Sequence, residues 1–238
     1  MGSEELTKSI HRYCLWVEDD QVEEAKSNEF ISTRFEAVRL NRLQSNASST
    51  KDFAKRPHRF VQIAGFAKKH SIVIPKVSTE NRTYLPIGLV GADTIISDLA
   101  FGIYDEDIWN MSILMSKIHR AWIVTVCGKM RSHHRYSNTL GWNTFPLPKL
   151  TETNKLDLTK CAKDILLARE MHFPATIAEL YKPEDMPENL RTAHDRNDEV
   201  LERIYIGRRF KNDTERLEKL FELYTKMTTT PTARERTS

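Results

Sequence analysis

Residues 129–135 alternate long hydrogen-bond donors with smaller side chains. The donors are Lys129, Arg131, His133 and Arg135. In an extended strand alternate side chains point to the same side, so the four would form one row. Arginine and lysine pair with O6 and N7 of guanine, and such a contact discriminates between bases by ~1–3 kcal/mol. We predict that these four residues contact DNA bases; the alternative is a solvated basic loop.

A second basic segment covers residues 51–59 and contains a single acidic residue, Asp52. Its cations are suited to gripping phosphates, and each neutralised phosphate would add about 0.9 to the salt dependence of binding. We predict contacts with the DNA backbone here, against the alternative of a solvated turn. The residues concerned are Lys51, Lys55, Arg56 and Arg59.

Both segments overlap windows that lack aspartate and glutamate, residues 53–79 and 108–151. The two windows hold 12 of the 36 lysines and arginines and none of the 33 acidic residues. The overall formal charge is only +3, so positive charge is concentrated rather than abundant. This distribution is typical of a surface that meets phosphate.

The composition, with 39% hydrophobic and 29% charged residues over 238 positions, allows one large domain or two small ones. We expect no membrane span, because no apolar run approaches about 18 residues. We expect no signal peptide, because the N-terminal residues have no basic region followed by an apolar stretch. Cys14, Cys127 and Cys161 are widely spaced, which favours neither a zinc site nor a disulfide framework. The expected location is a reducing cytoplasm.

Catalytic motifs are missing from the sequence. The eight glycines include no pair separated by one residue, so the turn that binds S-adenosylmethionine or a dinucleotide is not encoded. No Pro-Pro pair occurs, which excludes the N-P-P-Y-type loop of amino-methyltransferases from this chain. Glu24-Ala25-Lys26 has the E-x-K shape of some nucleases but fits a solvated helix face better. We expect no catalytic residues, no metal site and no cofactor site in these 238 residues.

The elements that must position the basic segments follow from periodicity and punctuation. We predict a helix over residues 23–44, a loop over 45–50 and strands over 59–63, 71–75, 83–90 and 94–103. Pro75 and Pro86 place their strands at a sheet edge or at strand ends. An apolar central helix over 105–127 would be capped by Asp105 or Asp107 and terminated by a left-handed Gly128.

Beyond residue 150 the composition favours helices, predicted over residues 158–172, 176–181, 187–205 and 213–227. The predicted fold class is α+β: a domain of small mixed sheets with a central apolar helix, residues 1–150, then an all-helical domain, residues 151–228. Residues 229–238 are predicted to be a disordered tail. His119, Trp122, Trp142 and Phe145 are expected in the core, and His194 with Asp195 and Asp198 in a helical ion-pair network.

Short stretches along almost the whole chain carry a family resemblance. They include Arg34-Phe35-Glu36-Ala37-Val38-Arg39, Tyr84-Leu85-Pro86-Ile87-Gly88, Cys127-Gly128-Lys129-Met130-Arg131-Ser132, Arg135-Tyr136-Ser137, Asn143-Thr144-Phe145-Pro146-Leu147-Pro148 and Ala193-His194-Asp195. In this order they resemble the target-recognition and C-terminal regions of MmeI-like enzymes. These are bacterial type IIG/IIL restriction–modification proteins, together with related class I DNA methyltransferases.

The resemblance implies a longer parent chain whose methyltransferase domain, with S-adenosylmethionine as cofactor, precedes this region. Base recognition would fall in residues 128–136, although His133-His134 replaces a common Ser-Asp-Tyr pattern. We add Ser78, Arg82 and Tyr136 to the expected contacts with the DNA backbone. Without the resemblance, the polar turn 78–82 favours a local Glu80–Arg82 ion pair.

We therefore expect a sequence-specific DNA-recognition fragment of an adenine-specific (N6) methyltransferase that is not catalytic by itself. Its expected partners are double-stranded DNA and the methyltransferase domain of the parent chain. The alternatives are a helical protein-interaction scaffold, or a specificity subunit that acts in trans. A free-standing nuclease is disfavoured because the carboxylates are not clustered.

Overall fold

The computed structural model describes residues 1–130 and 133–229, which fall into two compact units. One unit is His11–Ala64, and the other combines Met1–Ile10 with the described residues from Gly65 onward. No helix in the described ranges is long and apolar enough to cross a membrane.

The His11–Ala64 unit is helical. Its helices are α2 (Val22–Ser27), α3 (Glu29–Leu43) and α4 (Ser48–Asp52), and a 3₁₀ turn, Phe53–Lys55, follows α4. Asn28 caps α3 by accepting a hydrogen bond from the Ile31 amide, and this cap divides the single helix predicted over 23–44. The strand predicted over 59–63 is wrong, because these residues form turns and irregular backbone.

The second unit begins with the short helix α1 (Ser3–Thr7) and contains two antiparallel sheets. The first sheet has the order β3-β1-β4, with β1 (His70–Pro75) between β3 (Gly88–Gly91) and β4 (Ala100–Tyr104). Strand β1 is the central strand, paired with β3 on one edge and with β4 on the other, and it is buried from Ser71 to Pro75. Pro75 ends this strand, as predicted.

The second sheet, with the order β2-β6-β5, carries the basic segment 129–135. Its strands are β2 (Val77–Thr79), β5 (Lys129–Met130) and β6 (His133–Arg135). Strands β5 and β6 pair with each other as a hairpin, and β6 also pairs with β2.

Two apolar helices lie between β4 and β5 in the sequence, α5 (Trp109–Leu114) and α6 (Lys117–Val126). Ser116 separates them, because its hydroxyl accepts from the His119 amide and starts α6 anew. The helix predicted over 105–127 is therefore two helices. Asp105 does not cap it; the carboxylate of Asp105 instead accepts from the amides of Lys68 and Lys69, each at 2.7 Å. Gly128 does not take the left-handed conformation, which Gly207 adopts at the end of the helix Glu188–Ile206.

The C-terminal helices are α7 (Glu152–Glu170), α8 (Ile177–Leu180), α9 (Glu188–Ile206) and α10 (Asp213–Thr229). They share one hydrophobic core with the first sheet and with α5 and α6, which includes Ile72, Trp122, Leu158, Leu201 and Leu220. Helices α7 and α9 pack on each other, α7 packs on α5, and α10 packs on α6. The α+β class and the helical C-terminal part are confirmed. The tail predicted over 229–238 lies outside the described residues except for Thr229, which ends α10.

Candidate nucleic-acid interface

The β5–β6 hairpin divides the row of donors predicted from alternation. Lys129 pairs through its backbone with His134, and Met130 pairs with His133. The four donors therefore do not share one strand, and the prediction of a single alternating row is wrong. Along β6, His134 is buried, whereas Arg135 is exposed and His133 is half-buried. Arg131 and the side chain of Lys129 lie outside the described part of the chain.

Tyr136 anchors the hairpin to the core. Its ring is 4% exposed, and its hydroxyl lies 3.1 Å from Nε2 of His119, which is itself fully buried. Burial lowers the pKa of His119 to about 3 and raises the pKa of Tyr136, so both are neutral at physiological pH. Tyr136 is thus a packing residue. The predicted backbone contact does not fit its position, and the same holds for Ser78, which is 5% exposed.

The turn after β2 is held by an arginine on α6. Nε of Arg120 donates to the carbonyl oxygen of Arg82 at 2.8 Å, and its Nη2 donates to that of Glu80 at 2.9 Å. The register pairs Thr79 with His133, so this turn continues from the hairpin-side end of β2. The turn and the hairpin therefore stand side by side on one sheet.

Arg82 is half-buried, and burial lowers the pKa of its guanidinium. Within residues 1–130 and 133–229 it has no carboxylate partner, and the local Glu80–Arg82 pair does not form. A partly desolvated cation without a counter-ion gains from binding an anion. The predicted phosphate contact of Arg82 remains a prediction that is compatible with this position.

In the His11–Ala64 unit, Arg42 organises the loop that carries the predicted phosphate contacts. Its guanidinium, at the end of α3, donates to the carbonyl oxygens of Phe53 (2.9 Å), Arg56 (2.9 Å) and Arg59 (2.6 Å). Partial burial lowers the pKa of Arg42. The loop thus has a fixed backbone, although it contains little regular structure.

The cations on this loop differ in their partners. Lys51 and Arg56 are exposed; Arg56 lies over the Phe53 ring, with its Cζ 4.6 Å from the centroid. Lys55 forms an exposed pair with Asp52 at 3.0 Å, which is worth little and is easily exchanged for a phosphate. Contacts of these three cations with DNA remain predictions.

Arg59 is engaged within the protein. Its guanidinium lies 2.7 Å from Asp19 and 3.0 Å from Glu18, and these bonds hold the pKa of Asp19 well below its usual range. His58 also meets Asp19, at 2.7 Å. The predicted phosphate contact of Arg59 does not fit this structure, because two carboxylates already neutralise the guanidinium.

The same unit exposes an apolar groove of about 430 Å³. Aromatic and aliphatic side chains line it together with arginines; they include Tyr13, Leu15, Phe30, Phe35, Val38 and Phe60. Phe30 is 63% exposed and Tyr13 93%. The groove has the composition of a protein contact rather than of a phosphate site.

A buried polar network joins the C-terminal helices to the recognition part of the chain. Arg169 on α7 donates to the carbonyl oxygen of Ile87 at 2.6 Å and also to the hydroxyl of Tyr181. That hydroxyl lies 2.6 Å from Nε2 of His194, whose ring stacks on Tyr84 at a centroid distance of 4.0 Å. The helices therefore brace the segment that leads into β3, through hydrogen bonds as well as apolar packing.

Asp198 on α9 extends this network to α6. Its carboxylate accepts from the Tyr84 hydroxyl at 2.9 Å and from the Lys117 amide at 2.8 Å, and the Lys117 ammonium lies 3.4 Å away. Asp195 pairs instead with Arg209, at 2.7 Å. The predicted ion-pair network around His194 is thus present for Asp195 and Asp198, while His194 itself is a buried neutral ring.

Sequence reasoning missed Arg42 and Arg120, which position the two loops by donating hydrogen bonds to backbone carbonyl oxygens. No pattern distinguishes a cation that binds backbone carbonyls from one that binds phosphate. The core assignment of His119, Trp122 and Phe145 is confirmed by their exposures of 0%, 1% and 8%. Among the described residues there is no cluster of three or more metal-binding side chains.

Comparison with known proteins gives concordant matches. Residues 1–149 match the family described as "MmeI, target recognition domain", and residues 150–231 match "MmeI, C-terminal domain". A curated relative, "DNA methyltransferase A" of Bacillus subtilis (strain 168), is 41% identical over 228 residues. The match covers 96% of this chain and 26% of the relative, so the chain spans about a quarter of that protein's length.

A solved structure of the type IIL restriction-modification enzyme MmeI in complex with DNA is also similar. The two chains are 31% identical, with a TM-score of 0.90. The match covers 96% of this chain and 30% of the solved one.

Proposed function

The chain belongs to the MmeI family, as its target recognition domain followed by its C-terminal domain, and from this we propose that it recognises a specific sequence in double-stranded DNA. The observation that carries the proposal is the β5–β6 hairpin beside the turn 79–82. Both stand on one small sheet, and both are fixed to a buried core by Tyr136 and Arg120. A two-stranded ribbon on a rigid support fits the width of a major groove.

Base reading is assigned to the part of the hairpin nearest its connection. Lys129, Arg131 and His133 are the proposed base contacts, as the sequence predicts. Rigid support favours discrimination, because a mobile hairpin would adapt to a wrong base pair. Ser78 and Tyr136 are not part of the proposed interface, since both are buried.

Phosphate contacts would position the duplex. In the His11–Ala64 unit these come from Lys51, Lys55 and Arg56, on the loop that Arg42 holds. Arg82, half-buried and without a carboxylate partner in the described ranges, is the proposed backbone contact next to the hairpin. Such contacts set register and orientation and carry no sequence information themselves.

The rest of the parent chain would supply the reaction. We propose a methyltransferase domain that binds S-adenosylmethionine, flips the target adenine and methylates its N6. The 26% coverage of the Bacillus relative leaves room for such a domain. The bacterial cytoplasm, which contains the chromosome, is the location that goes with this function.

Binding-site selection with the full 238-residue chain tests the assignment of roles. Arg131→Ala is expected to relax preference at one base position. Lys55→Ala or Arg56→Ala is expected to weaken binding to all sequences about equally and to reduce the salt slope by about 0.9. If the two classes of variant behave alike, the division between base and phosphate contacts is wrong. If the wild-type chain binds no duplex at low salt, the scaffold hypothesis replaces DNA recognition.

A further inference from the structure

A cleft of about 290 Å³ opens at the end of β6 that is farther from the hairpin connection. The residues that line it are Lys76, Phe101, Gly128, Arg135, Tyr136 and Ser137. Two of these are cations, and neither aspartate nor glutamate is among the described residues that line it. The charge distribution alone makes the cleft suited to an anion.

The backbone around the cleft is tied at three points. The Tyr136 amide donates to the Lys76 carbonyl at 2.8 Å, and the Arg135 amide donates to the Gly128 carbonyl at 3.0 Å. The Lys76 amide donates to the Ser3 hydroxyl at 3.0 Å. The backbone of Lys76, between β1 and β2, and that of Arg135, on β6, are therefore fixed, so less entropy is lost when the two cations bind a ligand.

Neither cation is neutralised within the described part of the chain. The Lys76 ammonium lies 4.7 Å from the centroid of the Phe101 ring, and Arg135 is exposed without an ion pair. Arg59 and Lys117, which come from the same acid-free windows, both have carboxylate partners. An anion in the cleft would supply the counter-charge that neither Lys76 nor Arg135 has within the described residues.

The position of the cleft along the hairpin indicates which kind of anion it would bind. Arg135 lies two residues, about 7 Å, farther from the hairpin connection than His133. A major groove is about 8.5 Å deep, so a hairpin whose connecting end reaches the bases holds Arg135 near the groove rim. Phosphates, not base edges, lie at that level.

We propose that this cleft binds one phosphodiester of the DNA backbone, with Lys76 and Arg135 as its charged donors. The Ser137 hydroxyl accepts from the Leu140 amide at 3.3 Å, which leaves its proton to donate to the same phosphate. This inference rests on the proposed DNA recognition. It assigns Arg135 to phosphate positioning instead of the base contact predicted from alternation.

The test uses the full 238-residue chain and the duplex chosen by binding-site selection, with affinity measured over a salt series. The variants are Lys76→Ala, Arg135→Ala and the double variant. Each single variant is expected to weaken binding to all sequences and leave the preferred sequence unchanged. The double variant should lower the salt slope by about 0.9, the value for one phosphate, rather than about 1.8 for two.

Two control variants accompany these measurements. Arg135→Lys retains the charge and is expected to retain most of the slope. Lys160→Ala removes one exposed charge from α7 and is expected to leave the slope unchanged. Unfolding curves of all variants check that the loss of binding is not a loss of fold.

Several results would overturn the phosphate assignment while the wild-type chain still binds DNA. They are relaxed preference at one base position in Arg135→Ala, a slope reduced by about 1.8 in the double variant, or unaltered binding. Inorganic phosphate, titrated by NMR, forms a separate arm. If it shifts the Lys76 and Arg135 signals while both variants bind DNA normally, the cleft is a free-anion site. Absence of any duplex binding by the wild type overturns DNA recognition itself, and this inference with it.

Discussion

The guanidinium of Arg120 donates from Nε to the carbonyl oxygen of Arg82 at 2.8 Å, so one arginine holds the backbone of another. Arg42 does the same for the loop at residues 53–59, through three carbonyl oxygens. In each case a cation that the sequence analysis did not single out fixes the loop on which the proposed ligands stand. Some arginines thus fix the backbone of a loop, as Arg42 and Arg120 do, while others on that loop are the proposed phosphate ligands.

Replacing Arg120 with methionine should loosen the turn 79–82. Hydrogen bonds to a charged group contribute about 1.5–3 kcal/mol each, and water can satisfy part of the freed carbonyls, so we expect a loss of about 2 kcal/mol. Urea unfolding measures the loss, and binding-site selection should show weaker sequence preference. Arg203→Ala, which breaks an exposed pair with Glu199, serves as the control and should cost less than about 1 kcal/mol. Equal effects of the two substitutions would contradict the role of Arg120.

Arg42→Ala should weaken DNA binding without changing which sequence is preferred. The loop at residues 53–59 loses three hydrogen bonds that fix its backbone, so Lys55 and Arg56 are no longer held in place. Competition binding against a panel of duplexes measures the effect. The neighbouring Arg39→Ala removes the same charge from an exposed pair with Glu36 and should leave affinity nearly unchanged. A shift in sequence preference in Arg42→Ala would mean that this loop reads bases.

Composition predicted the concentration of cations but not their partners. The acid-free window 53–79 contains no local acid, yet Asp19, 40 residues from Arg59 in the chain, neutralises that arginine. A window in sequence excludes only neighbours along the chain, whereas electrostatics acts through space. Lys117, in the acid-free window 108–151, likewise pairs with a distant carboxylate, Asp198 on α9.

Periodicity predicted the fold class and most helices, and it failed at caps and at register. Asn28 and Ser116 each have a side chain suited to capping, but an apolar pattern that continues on both sides hides the break. The alternation of long donors from Lys129 to Arg135 predicts one strand, whereas β5 and β6 pair antiparallel. Alternation of side chains does not reveal where a chain reverses its direction. His119 is recognisable as a core residue from its place on an apolar helix, whereas its buried partner Tyr136 is not.

Tyr136→Phe distinguishes a packing role from a DNA contact. The substitution removes the hydroxyl that lies 3.1 Å from Nε2 of His119 and leaves a buried ring nitrogen without that partner. We expect a stability loss of about 1–2 kcal/mol and a DNA affinity close to that of the wild type. Chemical denaturation and gel-shift titration measure the two quantities on the same preparations. A large loss of affinity with unaltered stability would restore the backbone contact predicted from the sequence.

Asp198→Asn should change how stability depends on pH. Burial raises the pKa of Asp198 from 3.8 to about 6, against the opposing effects of Lys117 and Tyr84, and Glu202 adds to the rise. The folded state therefore holds this proton more tightly than the unfolded state. The corresponding stabilisation is full below about pH 3.8 and is lost as pH rises through about 6, a change of about 3 kcal/mol. The difference in unfolding free energy between wild type and Asp198→Asn, measured by urea titration from acid to neutral pH, should fall over this range.

Asp195→Asn is the matched control on the same helix. Its hydrogen bonds to Arg209 lower the pKa of Asp195, so its stabilisation is lost as pH falls and the difference should change in the opposite direction. Parallel pH profiles for the two variants would mean that burial does not raise the pKa of Asp198 above that of its partly exposed neighbour, and that Asp198 and Lys117 form an ordinary ion pair.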